Sequence, residues 1–471
     1  MDPSTSYFAY SIQEIFNQNN FNELNNSLKC YYKTYLLNKE DFIISSEDVD
    51  CLLNIVTYIN TRFGWYNNLE VPFPQVLTET IKILRVFVTK KWIAQYVIEN
   101  AKFFSVFSFL MTCVFTKKNG QELYTKYLLQ MIVNLLCIGK ESDCGEFHSK
   151  VFINFSYQLN NFFRECYGFS YEISAVIYNL FLNKEIRDLK LINSVIENYG
   201  NCTTSNEYLD FLLNQICCQN FIWASYETLP LKSRLILLNY LNELLVSTNA
   251  NLKQKLSNSS LERLLQVFND SSNVVFQVSQ AGCAESSQEV SYVLQLISVL
   301  SANENYINIL QSNVAMFINA GVLLVNIHRL GKSSENVFKP IQKLSEINNP
   351  SQEIWNNPVY GFKASLIRLI GNLCWKNKRL QDLARTAEVI PILLDCCNID
   401  ARNPFIMQWV ILAIRNICEN NKTNQAIIEG LTQQGMVQSE ILQELGISSN
   451  NQDNLIEKFV NIDLNRSDGN K

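Results

Sequence analysis

The chain has 471 residues, of which 47% are apolar and 18% are charged, so its apolar content is that of a globular protein and disorder throughout is excluded. Its 39 basic and 44 acidic residues give a net charge of -5, which excludes a broad cationic surface for nucleic acid or an anionic membrane. Proteins are therefore the expected partners. With only 15 glycines and 9 prolines, the scarcity of turn-forming residues favours helices over β-sandwiches.

The predicted elements begin after an N-terminus that lacks the basic start and apolar run of a signal peptide, so export is not expected. From residue 48 onward, apolar residues recur at helical spacing between short polar segments, and no stretch alternates as a β-strand does. The predicted helices cover residues 48–62, 74–100, 120–138, 147–166, 171–183, 186–199, 206–218, 231–246, 260–269 and 286–302.

The longest nearly apolar run extends from Phe103 to Phe115. It is shorter than the roughly 20 residues that cross a bilayer, so it predicts a buried helix and no membrane insertion. Farther along, Ser259 with Glu262 and Ser286 with Glu289 have the spacing of capping boxes, in which each side chain satisfies the other residue's free backbone amide. Both pairs predict the start of a helix.

A polar stretch from Gly331 to Tyr360 contains three prolines and predicts a long loop between two helical regions. The region Gln438 to Leu445 is a candidate cap, because the end of a repeat array exposes an apolar face unless a helix covers it. The polar sequence from about Ser448 predicts a flexible tail.

Two segments that precede this tail are copies of each other at an offset of 44 residues. The segment that begins at Leu366 aligns without a gap with the segment that begins at Val410. This period lies within the roughly 40 to 47 residues of armadillo and HEAT repeats. The identical pairs are Asn372/Asn416, Cys374/Cys418, Asn377/Asn421, Lys378/Lys422 and Gln381/Gln425.

Each copy carries one apolar stripe, as Leu366, Ile370 and Leu373 show at positions i, i+4 and i+7. A single unit cannot bury this stripe alone, so neighbouring units are expected to stack and share a core. The sequence of one repeat unit predicts three helices: a short helix at 378–387, a middle helix at 389–397 with Pro391 in its first turn, and a long helix at 404–419.

We therefore predict an all-α protein, an armadillo/HEAT-like α-helical solenoid. Asn134 and Asn179 lie 45 residues apart, each followed by Leu, and indicate related units earlier in the chain. The predicted organisation is an N-terminal helical region at 1–300, C-terminal repeats at 301–447 with a polar loop at 331–360, and a flexible tail at 448–471.

Histidine and cysteine usage argues against catalysis. The only histidines are His148 and His328, which removes most metal-hydrolase and acid/base designs. The 14 cysteines include no CxxC spacing and lie among apolar residues, a pattern that indicates reduced, cytosolic thiols. We predict no enzyme activity, no cofactor and no metal site. The alternative is an enzyme whose residues meet from distant helices, with His148 or His328 beside a buried carboxylate in a deep pocket.

The C-terminal sequence resembles a known family. Residues 357–363, NPVYGFK, are followed by LIRLIGNLCWKNKRLQD and by IPILLDCCNIDARNPFIMQWVILAIRNICENNKTNQ. These motifs, in this order over residues 350–440, closely resemble the C-terminal domain of the ataxin-10 family. The resemblance does not extend motif by motif over the first 300 residues.

The resemblance implies an armadillo-like protein without catalytic activity that acts in the cytoplasm as a scaffold or adaptor for other proteins. Roles in cytokinesis, and in animals in neuron survival and neurite outgrowth, are implied by the family alone, as is a perinuclear or division-site location. A regulatory subunit of a cytosolic enzyme, such as a glycosyltransferase or a kinase, is the alternative. Whether the chain forms a homo-oligomer is left open.

Asn372 and Asn416 are candidate protein-binding residues. Peptide-binding armadillo proteins carry an asparagine at the corresponding place on each long helix, where the amide can pair with the backbone of an extended peptide. The alternative is that each amide ties its own helix to the neighbouring unit.

Four further residues complete the predicted binding surface. Importin-like proteins carry a tryptophan four residues before that asparagine, but Arg368 and Leu412 occupy those places here, which argues against binding of nuclear-import signals. Trp409 and Leu412 share one helix face with Asn416, either as a partner surface or as core. Arg368 and Arg415 either present charge to an acidic partner or pair with nearby carboxylates.

Overall fold

The structure is a computed structural model. It describes residues 7–37, 42–63, 73–100, 123–138, 169–182, 184–246, 256–280, 282–333, 335–343, 345–346 and 349–430. Several predictions lie outside these residues: the helix at 147–166, the run from Phe103 to Phe115, His148, the cap at 438–445 and the tail from 448.

Every regular element in the described residues is helical, and these residues contain no strand. The chain divides into two compact units, residues 1–222 and 223–471. The helices of the first unit are α1 Tyr7–Asn17, α2 Phe21–Leu37, α3 Ser46–Phe63, α4 Phe73–Phe87, α5 Lys91–Glu99, α6 Leu123–Ile138, α7 Ser170–Phe181, α8 Leu189–Asn201 and α9 Glu207–Cys217. The short α10 Asn220–Ala224 contains the boundary.

The second unit continues in the same all-α pattern, with a 3₁₀ helix at Ser272–Gln277 between two of its α-helices. Its helices are α11 Leu231–Val246, α12 Asn258–Ser271, α13 Ala284–Leu300, α14 Glu304–Ser312, α15 Val314–Ser333, α16 Gln352–Trp355, α17 Phe362–Cys374, α18 Lys378–Thr386, α19 Val389–Asp395, α20 Ile406–Cys418 and α21 Lys422–Glu429, and a single-turn 3₁₀ helix, Tyr226–Thr228, precedes them. The predicted boundary between residues 300 and 301 stays a prediction.

In each unit, long helices pack side by side, and most of these pairs are separated by other helices in the chain. In the first unit α2 contacts α4, α4 contacts α6, α6 contacts α7, and α7 contacts α9. In the second unit α11 contacts α13, α13 contacts α17, and α17 contacts α20. Each long helix therefore buries its apolar stripe against its neighbours, which is how helical repeats are stabilised. The prediction of an all-α helical-repeat fold is confirmed.

The 44-residue repeat is visible in the backbone. Helices α17 and α20 begin and end at positions that differ by 44, and α18 and α21 begin with the same offset. Positive φ angles recur with it, at Gly361 (72°) and Phe405 (60°) before the long helices, and at Lys376 (53°) and Asn420 (55°) after them. Because a left-handed residue is uncommon outside glycine, this repetition shows that both segments adopt one backbone plan.

The predicted unit is confirmed, whereas two predicted helix starts are wrong. Pro391 lies in the first turn of α19, as expected. Helix α12 is capped by Ser257, whose side chain accepts from the backbone N–H of Ser260, so Ser259 lies inside the helix. Helix α13 begins at Ala284 without a side-chain cap, so Ser286 lies in its first turn.

The predicted loop at 331–360 is largely non-helical in its described part, with two exceptions. Helix α15 continues to Ser333, and α16 is a short helix within the loop. Among the described helices, α15 alone is long and apolar enough to cross a membrane by length and composition, but 56% of that stretch is buried inside the protein. Such burial is typical of a core helix.

Candidate functional site

The two repeat asparagines lie between long helices. Asn372 on α17 is half-buried, and its Nδ2 donates to Ser301 Oγ at 2.9 Å, just beyond the end of α13. Asn416 on α20 is buried, and its Nδ2 donates to the carbonyl oxygen of Gly371 on α17 at 2.9 Å. Each side chain therefore ties its long helix to the preceding one.

Asn134 makes the same kind of bond in the first unit. Its Nδ2, on α6, donates to the carbonyl oxygen of Arg85 on α4 at 3.0 Å. We call Asn134, Asn372 and Asn416 the asparagine ladder. Their amides satisfy groups of the protein itself, which favours the structural alternative over a peptide-binding row. Binding of a protein by Asn372 or Asn416 stays a prediction.

Gln381 completes the connection between the two C-terminal repeats. It is buried on α18, and its Nε2 lies 2.9 Å from the carbonyl oxygen of Asn416 and 3.2 Å from that of Cys374. Asn421 Nδ2 donates to Gln381 Oε1 at 3.3 Å, and Asn424 Nδ2 to the Gln381 carbonyl oxygen at 3.1 Å. The sequence comparison found Gln381 as an identity but missed this role.

Arg368 and Trp409 form a stacked pair across α17 and α20. The guanidinium carbon of Arg368 lies 4.6 Å from the centroid of the Trp409 ring, a cation–π distance. Arg368 Nε is buried without a hydrogen-bond partner, and no carboxylate among the described residues pairs with this side chain. Burial lowers the pKa of Arg368 below its ordinary value. The pair thus holds a partly desolvated positive charge.

The remaining predicted residues lie beside this pair on α20. Arg415 is exposed, and Leu412 is half-buried. Two large apolar side chains on or next to this helix face solvent, Ile411 with 64% exposure and Phe405 with 70%. The predicted site residues therefore separate into a buried group, which contains Asn416, and an accessible group around Arg368 and Trp409.

His328 lies in a cluster that has the residue types of a catalytic triad. Its Nε2 is 3.3 Å from Asp395 Oδ2, and its Nδ1 is 3.4 Å from Cys396 Sγ. Both His328 and Cys396 are buried, and desolvation raises the pKa of the thiol to about 11. A protonated, enclosed thiol is a poor nucleophile, so the geometry supports a packed contact between α15 and α19.

The described residues also offer one cleft that could hold a ligand. A solvent-open cleft of about 820 Å³ follows the loop and is lined by Lys339, Lys343, Glu353 and Arg402 among others. Its side chains carry both signs of charge. Within the part of the chain that the structure describes, no group of three or more His, Cys, Asp or Glu side chains is arranged to hold a metal ion.

The C-terminal part of the chain is similar to known proteins. Residues 362–457 match the model of the spinocerebellar ataxia type 10 protein domain. Ataxin-10 of Xenopus tropicalis is 36% identical over 164 residues, which cover 35% of this chain and 33% of that protein. Human ataxin-10 is 33% identical over 190 residues, covering 39% of this chain and 38% of that protein.

An ataxin-10 homolog from Dictyostelium matches a shorter stretch of the chain. The ataxin-10 homolog of Dictyostelium discoideum is 40% identical over 111 residues, 24% of this chain and 18% of that protein. The chain therefore matches less than two fifths of the length of each of these relatives. A solved structure of an engineered protein aligns with 87% of this chain and 91% of its own, but with 12% identity and a TM-score of 0.30 it informs neither fold nor function.

Proposed function

We propose that the protein is a non-enzymatic scaffold whose C-terminal repeats, which are similar to ataxin-10, bind an acidic segment of a partner protein. The observation that carries this proposal is the Arg368–Trp409 pair. It presents a pre-oriented guanidinium that has no acceptor in the described residues.

The chemistry of this pair suits a carboxylate. A guanidinium has five N–H donors in a planar fork that matches a carboxylate with two parallel hydrogen bonds. Stacking on Trp409 fixes that plane before binding, so less side-chain entropy is lost when a partner docks. A partner carboxylate would also compensate the desolvated charge that lowers the pKa of Arg368.

One apolar side chain extends the same surface. Phe405 precedes α20, lies four residues or about one helical turn before Trp409, and is 70% exposed. Large aromatic groups beside an arginine are typical of binding hot spots. A partner segment with a carboxylate next to apolar residues would satisfy both features. The repeats hold these groups on rigid helices, so no platform has to become ordered first.

The test compares two arginine variants of the full chain. Arg368→Gln removes the charge from the stacked pair, and Arg379→Gln removes an exposed charge from α18, where no partner is described. The immobilised proteins are incubated with cytosolic extract, and captured proteins are quantified by mass spectrometry. We expect Arg368→Gln to reduce recovery of specific partners by about tenfold, the effect of losing a hydrogen bond to a charged group.

Arg379→Gln should leave the recovered set unchanged. Equal recovery by both variants would exclude the Arg368–Trp409 surface, and no specific partner for the wild-type chain would contradict the scaffold function itself. Asn372→Ala serves as a third arm, because its amide is engaged inside the protein and its loss should not change the partner set.

The finer parts of the proposal follow from the family. We infer cytoplasmic action, participation in cytokinesis and, for animal members, neuron survival and neurite outgrowth. The same proposal includes no catalytic activity and no membrane insertion. Sedimentation of the intact chain would decide whether it forms a homo-oligomer. A regulatory subunit of a cytosolic enzyme is the second candidate, and capture of one stoichiometric enzyme partner would favour it.

A further inference from the structure

Four aromatic rings form a continuous strip on α7 and α9 of the first unit. Tyr171 and Tyr178 lie on α7, and Tyr208 and Phe211 lie on α9. Ring centroids are 5.2 Å apart for Tyr171–Tyr208, 5.9 Å for Tyr178–Tyr208 and 5.4 Å for Tyr178–Phe211. We call these four residues the aromatic strip. Their spacings of seven and three residues place them on one face of each helix.

The aromatic strip is separate from the core of the unit. The buried residues of the two helices, such as Ile177 on α7 and Leu212 on α9, occupy other faces. Tyr171 and Phe211 are each 47% exposed. Ring contacts within the strip stabilise the packing of α7 on α9, but contiguous exposed rings also mark interaction sites.

The charges next to the strip are acidic. Helices α7 and α9 contain Glu172, Glu207 and Asp210 and no lysine, arginine or histidine. Glu172 is approached by Lys126 of α6 at 3.6 Å. Glu207 is exposed and accepts a hydrogen bond from the Tyr171 hydroxyl at 3.1 Å. A carboxylate has about four lone-pair sites, so Glu207 retains acceptor capacity beside the rings.

Elsewhere, arginines of this chain stack on rings of the next long helix. The guanidinium of Arg85 on α4 lies 4.9 Å from the ring centroid of Tyr127 on α6, and Arg368 on α17 lies 4.6 Å from that of Trp409 on α20. On α7 and α9 the rings are present, and neither helix supplies an arginine. Among the described residues, no lysine or arginine stacks on these four rings, so the ring faces can accept a cation from another molecule.

We propose that the aromatic strip binds an arginine-containing segment of a partner protein, with guanidinium groups stacked on the rings and paired with Glu207. Aromatic faces carry negative charge density that attracts cations. Arginine suits the strip better than lysine because its planar group stacks on a ring and pairs with a carboxylate at the same time. Phosphate-bearing partners are disfavoured by the acidic side chains. The inference does not depend on the Arg368–Trp409 surface.

The test measures binding of short fluorescent peptides to the full chain at low ionic strength by fluorescence polarisation. The probes are alternating arginine and glycine, alternating lysine and glycine, and alternating glutamate and glycine. We expect the arginine peptide to bind most tightly, the lysine peptide more weakly and the glutamate peptide not at all.

Three variants locate the binding on the surface. Tyr208→Leu with Phe211→Leu retains apolar volume and removes two rings, and it should weaken arginine-peptide binding by about tenfold. Glu207→Gln retains the side-chain shape and should weaken binding severalfold without endangering the fold. Trp92→Leu, a change to an exposed ring on α5, is the matched control and should have no effect.

Two results would overturn the proposal: undetectable binding of the arginine peptide to the wild-type chain, or equal binding by the wild type, Glu207→Gln and the double variant. If circular dichroism showed that the double variant had lost helix, Glu207→Gln would decide. Arg368→Gln should bind the arginine peptide normally, so failure here is distinct from failure of the scaffold function.

Discussion

The two C-terminal repeats carry the same residues in different surroundings. Gln381 of the first repeat is buried and contacts backbone carbonyl groups of its own repeat and of the following one. Gln425, its copy, is exposed, and among the described residues its Nε2 donates to the carbonyl oxygen of Cys418 of the same repeat alone, at 2.8 Å. The bond from Gln425 to Cys418 reproduces the bond from Gln381 to Cys374.

This difference shows that identical residues make the same hydrogen bonds within their own repeat. How much each residue contributes to the free energy of unfolding depends on whether a neighbouring unit packs against it. The bond within the repeat is made by both glutamines because it needs only the helix end that precedes it. In the described residues, which end at 430, the bond to a following long helix is made by Gln381 alone, because α20 lies at that place.

Separate replacement of Gln381 and Gln425 should give the largest difference in the free energy of unfolding between the two repeats. Gln381→Ala removes bonds that are closed to water and leaves buried carbonyl groups without a donor, so we expect a loss of about 2–4 kcal/mol in the free energy of unfolding. Gln425→Ala removes one exposed bond and should cost less than about 0.5 kcal/mol. Urea denaturation of both variants measures the difference, and equal losses would contradict it.

The two repeats approach each other closely at Gly371. A Cβ atom there would lie 2.9 Å from Cα and Cβ of Ala413 on α20. Because backbone atoms cannot move aside cheaply, Gly371→Ala should destabilise the protein by about 1–3 kcal/mol in spite of alanine's better helix propensity.

Gly321 on α15 provides the matched control for that close approach. A Cβ atom there would lie 3.4 Å from a Val389 methyl group, an ordinary contact. Gly321→Ala should therefore leave the melting temperature unchanged or raise it. A Gly371→Ala protein that melts no lower than the Gly321→Ala protein would show that α17 and α20 are not closely packed.

The asparagine ladder should differ between the repeats in the same way, with a smaller effect. Asn416→Ala removes a buried bond to the Gly371 carbonyl oxygen and should cost about 1–2 kcal/mol. Asn372→Ala removes a half-buried bond to Ser301, whose hydroxyl still donates to Ser298, so its cost should be below about 1 kcal/mol. Chemical denaturation would refute this order if Asn372→Ala were the more damaging change.

The smallest effect concerns His328, which lies outside the two repeated helix pairs but contacts α19 between them. Burial lowers its pKa below 6.5, and the positive charges of Lys363 and Lys332 act in the same direction against the opposing effect of Asp395. Cys396 is its other titratable neighbour and stays a thiol. Between the lowered pKa and 6.5, the unfolded chain binds more protons than the folded one.

Stability therefore rises with pH through this window and is fully present above 6.5. The slope is at most about 1.4 kcal/mol per pH unit. His328→Gln should flatten the curve of unfolding free energy against pH relative to the wild type, measured by urea denaturation at several pH values. A curve with the same slope in the variant would assign the dependence to other groups.

The repeat plan could be predicted from the sequence because its determinants are local. Asn377 and Asn421 each cap the following short helix by accepting from the backbone N–H three residues later, and Pro391 is suited to a first turn. The same residues at the same offset therefore produce the same helix limits. That is why an alignment without gaps corresponded to two helix pairs shifted by 44 residues.

The two wrong helix starts show what local patterns leave out. Ser257 and Ser259 compete for one cap, and the spacing to a glutamate does not decide between them. Glu289 cannot complete a capping box, because it accepts from the Tyr226 hydroxyl at 2.7 Å and pairs with Arg234 at 3.0 Å. Both partners come from distant parts of the sequence.

The residues of the candidate site could be predicted from the sequence, but their contacts could not, because those contacts depend on helices that are distant in the chain. The sequence named Arg368, Trp409 and the two ladder asparagines, but an amide can donate to a peptide or to a neighbouring helix, and only the position of that helix decides. The aromatic strip was missed, although Tyr171 with Tyr178 and Tyr208 with Phe211 have the spacing of one helix face. That spacing alone is equally typical of core residues.

Hydrogen exchange of side-chain amides tests most directly whether these residues are used inside the protein. With selective ¹⁵N labelling of asparagine and glutamine, NMR can follow the NH₂ groups of Gln381, Asn416 and Gln425 separately. We predict slow exchange for Gln381 and Asn416 and exchange close to that of a free amide for Gln425. Equally fast exchange at all three would contradict the claim that the repeats are joined through these amides.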